Sequence, residues 1–147
     1  MDWKRRLPRA KYDPQNVLLD MGYTFLFNLV DALLQSYGFD TYKGFYHTLF
    51  FQRKSLACDI MEPFRVLIDK QLVKSWNLGQ IKLEDFEYKY GKYQLSWEKS
   101  SYYATLFLEV LTENKDEIYS FTKGFYYHIM NTEKDLPKWN ITARKNV

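Results

Sequence analysis

A single cysteine, Cys58, occurs in 147 residues, which excludes a disulfide framework within the chain. One thiol also excludes paired-cysteine zinc sites and suits a reducing, cytoplasmic location. Histidine is nearly as scarce, with only His47 and His128, and no glutamate precedes Glu62. The 6 glycines and 4 prolines are scattered, leaving no low-complexity linker and no Gly-rich phosphate loop. A long uninterrupted apolar run is missing too. Asp20, Asn28 and Asp31 interrupt the best candidate, LLDMGYTFLFNLVDALL, so no membrane span is expected. The opening MDWKRRLPRAKY is charged but lacks a small-residue cleavage site, unlike a signal peptide. Net charge is only +3, too little to require a nucleic-acid partner.

What is plentiful is apolar and aromatic. Hydrophobic residues make up 46% and aromatics 19%, including 13 Tyr, enough for one domain with a real core. Asp13-Pro14 is a helix start, and Val17, Leu18, Met21, Phe25, Leu29 and Leu33 recur at helical spacing up to Ser36, with Gly38 as the stop. Residues 39–54 read as a loop. Ser55 then caps a second long helix running to Trp76 and ended by Gly79, with a kink at Pro63. DFEYKYGKYQLS reads as a small hairpin or an irregular crossing, and helices follow over about 97–113 and 116–131. The chain therefore reads as all-α, a single helical domain over 1–147. A basic arm covers about 1–12, and a polar tail over about 132–147 is expected to fray.

The chemistry concentrates in GFYHTLFFQRKSLACDIMEPFR, positions 44–65. Asp59 and Glu62 are three apart, so a helix places both carboxylates on one face, and His47 on the loop before them can close a site. A nitrogen and oxygen donor set suits Mn²⁺ or Mg²⁺. The alternative is a surface loop entering a buried helix whose acids favour its N-terminal dipole. Lys4, Arg5, Arg6, Arg9 and Lys11 crowd the first eleven residues and fit either a solvated tail or contact with phosphates. His128, among Phe125, Tyr126, Tyr127 and Ile129, reads as a core-edge histidine, and Cys58 as a small buried hydrophobe rather than a nucleophile.

Three ordered motifs carry a family resemblance. Asp13, Pro14, Asn16 and Leu19 lead into the stretch around Tyr23. Gly44, Phe45 and His47 follow. Ser55, Leu56, Asp59, Met61, Glu62, Pro63, Phe64 and Arg65 form the third. Ile81, Asp85, Phe86, Gly91 and Leu95 continue the match. Together they resemble the catalytic helical domain of the CRISPR-associated integrase, the adaptation protein of CRISPR systems, from about Arg5 to the last helix. The resemblance implies a metal-dependent DNA endonuclease and integrase that joins a DNA 3′-hydroxyl to a phosphodiester of the repeat. It implies His47 and Glu62 as ligands of Mg²⁺ or Mn²⁺, and Asp59 as a further ligand or an orienting partner. Arg65 would be an ion-pair partner or a phosphate contact. It further implies double-stranded DNA, a homodimer and a small adaptation subunit as partners. The family's third ligand, a Glu upstream of the Asp-Pro start, and its N-terminal β-rich domain have no counterpart here, so a C-terminal catalytic piece is expected. A non-catalytic DNA-binding or scaffolding domain built on the same core is the alternative.

Overall fold

Asp13 starts the first helix by direct capping: its Oδ1 accepts the Asn16 N–H at 2.7 Å and its Oδ2 accepts the Asn16 side-chain amide at 2.7 Å. The computed structural model describes residues 11–47, 51–131 and 135–138, and it is mostly helical (67%) with one small sheet. The helices are α1 (Pro14–Ser36), α2 (Ser55–Met61), α3 (Arg65–Asn77), α4 (Trp97–Glu113) and α5 (Lys115–Met130). Between α3 and α4 a hairpin pairs β1 (Phe86–Lys89) with β2 (Lys92–Leu95) antiparallel. Gly38 and Gly79 follow their helices with φ of +80° and +67°, the left-handed backbone that ends a helix.

The described residues fall into two compact units. One comprises the chain up to Asn28 with Phe64–Glu113, and the other Leu29–Pro63 with the chain from Asn114 onward. In the first, Leu18, Leu19, Leu26, Ile68, Leu72, Tyr103 and Phe107 are buried. In the second, Val30, Leu34, Leu56, Ala57, Ile60, Ile118 and Phe125 are buried. Aromatic rings join the end of α1 to α5 there: Tyr37 stacks on Tyr126 with centroids 5.0 Å apart, and Phe39 tilts against Phe125 at 5.5 Å.

Four expectations need correction. The helix expected from Ser55 to Trp76 is two helices. Pro63 cannot donate to a carbonyl one turn back, and Glu62–Phe64 tightens into a 3₁₀ turn between α2 and α3. Ser55 is not the cap either. It is the first, fully buried residue of α2, and the Leu56 N–H is satisfied instead by the Thr41 carbonyl at 2.9 Å. Cys58 is half-buried rather than enclosed. Finally, α1 has a window of mean hydropathy 1.5, long and apolar enough by length and composition to cross a bilayer despite its interruptions. Its buried leucines show that the same apolar stripe also serves as a protein core. Residues 132–134 and 139–147 of the expected tail lie outside the described residues.

The hairpin is anchored by a buried polar lock. Tyr103, fully buried on α4, donates its hydroxyl to Asp85 Oδ2 at 2.8 Å and accepts the Lys82 N–H at 3.1 Å. Lys99 Nζ meets Asp85 Oδ1 at 2.9 Å. The Lys99 ammonium, helped by Tyr103, holds the Asp85 carboxyl below the usual carboxylate range, while burial pushes the Tyr103 phenol up to about 12. A carboxyl depressed in the folded state supplies stability that is present above its unfolded value, near 3.9, and lost as pH falls through the folded value. Thermal unfolding of Asp85→Asn is therefore expected to show a lower Tm than wild type at pH 7. The difference should shrink below about pH 4. A constant difference across that range would contradict the lock.

Candidate metal centre

Among the described residues, the segment around His47 forms no helix or strand, so its backbone N–H groups must find partners elsewhere. Asp59, on α2, provides them. Its Oδ2 accepts the N–H of Phe45 at 2.7 Å and of Tyr46 at 3.0 Å, and its Oδ1 accepts the N–H of His47 at 2.9 Å. The same Oδ1 also meets His47 Nδ1. Asp59 is 7% exposed. Burial pushes its carboxyl up, but the N–H groups of Tyr46, His47 and Phe45 together with the His47 ring outweigh it and leave the group below its ordinary value.

Two consequences follow for the site. An ionised carboxylate only accepts, so Nδ1 of His47 is the donor in this contact, and in the neutral imidazole the lone pair is then the one on Nε2. And both Asp59 oxygens are taken up by the loop, which favours the orienting role over the ligand role for this carboxylate. Gly44 makes this approach possible. A Cβ there would lie 2.7 Å from Asp59 Oδ2 and 2.8 Å from Ser55 Cβ, too close for any side chain.

His47, Asp59 and Glu62 line one cavity of ≈ 570 Å³. Glu62 sits exposed in the 3₁₀ turn beside Pro63, so the break at Pro63 sets where its carboxylate begins. The remaining wall is apolar: Phe45 and Tyr46 from the loop, Ile60 from α2, Phe121 and Phe125 from α5, with Leu136 and Pro137. The aromatic half of this wall was legible only as an i, i+4 pair, Phe121 and Phe125. Nothing in the sequence tied that pair to a loop some eighty positions earlier. Among the described residues no group of three or more His, Cys, Asp or Glu could hold a metal ion. His47 and Glu62 thus share the cavity as one imidazole and one carboxylate, and with Asp59 they do not make a three-residue metal group.

The other candidates lie apart in role. Arg65 spreads its guanidinium over the Tyr23 ring, 4.6 Å from the centroid, and Tyr23 donates to Asp69. Burial, then Asp69, raises the Tyr23 phenol to about 12. Lys11 is exposed and offers its carbonyl to the Tyr93 N–H at 2.8 Å, tying the chain's start to β2. Lys4, Arg5, Arg6 and Arg9 lie outside the described residues. His128 is half-buried on α5.

Residues 1–109 match the family model of CRISPR associated protein Cas1. The chain belongs to the Cas1 family. It is 32% identical over 135 residues to a CRISPR-associated endonuclease Cas1 of Thermodesulfovibrio yellowstonii, a match covering 90% of this chain and 42% of that one. It is 42% identical over 86 residues to a Cas4 exonuclease/Cas1 endonuclease fusion of Geobacter sulfurreducens, covering 58% of this chain and 15% of the fusion. The chain thus spans less than half the length of these Cas1 relatives. Among solved structures it resembles a chain of a partial Cas6-RT-Cas1–Cas2 complex, with TM-score 0.81 and 34% identity over 95% of this chain and 46% of that one. A casposase bound to its integration product shares the fold, with TM-score 0.82 and 22% identity over 99% of this chain and 46% of the casposase.

If Asp59 is what sets the loop, its removal should be felt by both fold and histidine. Asp59→Ala is expected to cost about 2–3 kcal/mol in urea unfolding, because N–H groups lose a charged acceptor. Gly44→Ala should cost about 1–3 kcal/mol by overpacking. In both variants, ¹⁵N spectra of His47 should lose the single tautomer bearing its proton on Nδ1. Unchanged stability and an unchanged tautomer would refute the arrangement.

Proposed function

We propose that this chain is the catalytic helical part of a metal-dependent DNA endonuclease and integrase of CRISPR adaptation, acting in the cytoplasm. It joins a DNA 3′-hydroxyl to a phosphodiester of the repeat. The observation that carries this is the shared cavity of His47 and Glu62, with Asp59 behind it fixing the imidazole. Membership of the Cas1 family supports the reaction class.

His47 Nε2 and the Glu62 carboxylate would hold the ion. An imidazole beside a carboxylate suits Mn²⁺ somewhat better than Mg²⁺, which prefers oxygen. When bound, the ion polarises the phosphoryl oxygen and stabilises the leaving oxygen. The chain's own part is positional. Asp59 keeps the imidazole in one tautomer and one orientation, so no rotamer search precedes binding. The apolar wall of Phe45, Phe121 and Phe125 surrounds the donors with low-polarity surface, which strengthens charge interactions inside. The rest of the shell falls to water and to a carboxylate outside these residues, the upstream Glu of the family pattern.

The partners proposed are double-stranded DNA, a second copy of the family's full-length chain, and the small adaptation subunit. The similarity to a chain of a partial Cas6-RT-Cas1–Cas2 complex, at 34% identity, supports them. Lys4, Arg5, Arg6, Arg9 and Lys11 would contact phosphates. Arg65 serves by bracing Tyr23, which suits the structural of its two roles. The scaffold alternative draws on one specific observation, the lack of a third protein donor among the described residues.

Mn²⁺-dependent strand transfer decides between them, measured in a longer protein that carries the upstream carboxylate. Glu62→Ala should lower the rate by about a hundredfold or more, since poorly fixed reacting atoms cost on that order. His128→Ala should leave it near wild type. Calorimetry on the 147-residue chain should show weak Mn²⁺ binding that His47→Ala removes. Full activity in Glu62→Ala would leave the scaffold role in possession of the fold.

A further inference from the structure

The tip of the β1–β2 hairpin breaks two local rules at once. Its register pairs Phe86 with Leu95, Glu87 with Gln94, Tyr88 with Tyr93 and Lys89 with Lys92, which leaves Tyr90-Gly91 as a two-residue turn. Both turn residues have positive φ, +52° and +77°. That is a type I′ turn, whose first position favours Asn, Asp or Gly. Here it holds tyrosine, a side chain disfavoured in the left-handed region. Among the described residues no side-chain packing offsets that cost, because Tyr90 is 98% exposed. The second broken rule is the pairing of Lys89 directly opposite Lys92, a like-charge pair that destabilises a ladder.

Alternation along the strands sorts the side chains by face. Phe86, Tyr88, Tyr93 and Leu95 share one face, and the Tyr88 and Tyr93 rings lie 5.0 Å apart. Glu87, Lys89, Lys92 and Gln94 share the other. Lys89 meets Glu87 in an exposed ion pair, which is worth little and is readily exchanged for a phosphate. The segment Tyr88–Tyr93 itself contains no acid. Three tyrosines and two lysines therefore crowd a narrow, two-stranded tip in which every residue but the half-buried Tyr93 is exposed.

We propose that this hairpin is a DNA-contacting element that enters the major groove of a duplex, Lys89 and Lys92 meeting phosphates and Tyr90 leading at the tip. The groove, about 12 Å wide, admits a two-stranded ribbon, and the paired lysines then face an anionic wall instead of each other. The strain at Tyr90 and the repulsion between the lysines are offset on binding, not on folding. This rests on the DNA-binding part of the proposed function. It is independent of the metal, and it adds a contact to those of the N-terminal arm.

Anisotropy of a labelled duplex, titrated with the 147-residue chain over a range of salt concentrations, tests it. Lys89→Gln/Lys92→Gln should weaken binding about tenfold and lower the slope of log K against log salt by about 2. Tyr90→Asn should raise Tm, because asparagine suits the turn, yet weaken binding by about fivefold. Stability and affinity moving in opposite directions is an outcome that damage to the fold cannot produce. Wild-type binding with both variants unchanged would overturn the hairpin's role and leave the arm as the contact, with a protein partner then the better occupant of the tip. No binding by wild type would overturn both the hairpin and the DNA-binding reading. Weakened binding in the hairpin variants, alongside a Glu62→Ala protein that keeps full strand transfer, would leave the hairpin standing while the catalytic reading failed.

Discussion

The site proposed for this chain depends on one buried carboxylate, Asp59. A loop of exposed aromatic residues has three consecutive N–H groups to satisfy, and Asp59 accepts all of them from Phe45, Tyr46 and His47. Its Oδ1 also meets His47 Nδ1 and so sets the orientation of the ring. Loop structure and the orientation of the proposed metal ligand are therefore one interaction. A side chain used in this way is held to a few tenths of an ångström by backbone on both sides, which is the precision a catalytic constellation requires. Gly44 shows the tolerance on the other side, since even a methyl group would collide with Asp59.

The helices were legible because their signals are local. Asp13-Pro14, the apolar periodicity to Ser36, and Gly38 and Gly79 act within a turn of where they stand, and α1, α4 and α5 appear close to their expected bounds. The fold class follows from that. What was less legible came from contacts distant in sequence. Pro63 signalled a kink, but whether the chain bends or breaks depends on packing on both sides, and here it breaks. Ser55 looked like a cap because its hydroxyl could serve. Lys54 takes the cap position instead, and the Leu56 N–H goes to the Thr41 carbonyl.

For the site, spacing placed Asp59 and Glu62 together and left His47 as a neighbour by suggestion. The division of labour between the two acids could not be read from spacing, because both are carboxylates on one turn. Burial separates them: Asp59 faces inward to the loop, while Glu62 remains exposed at the cavity. The aromatic wall from α5 was invisible for the same reason as the Thr41 contact, since nothing local links Phe121 and Phe125 to residue 47. The hairpin is the converse case. Its sequence reads as a turn, yet the strained tyrosine at its tip is apparent only once the register is fixed.

Diffraction from crystals soaked in Mn²⁺, recorded where manganese scatters anomalously, tests the central claim most directly. The account predicts one anomalous peak in the cavity, within bonding distance of His47 Nε2 and the Glu62 carboxylate, about 2.0–2.3 Å, with Asp59 still bonded to the loop N–H groups. A peak bonded to Asp59 with the loop released, or no peak in this cavity while Mn²⁺ binds elsewhere on the chain, would contradict it.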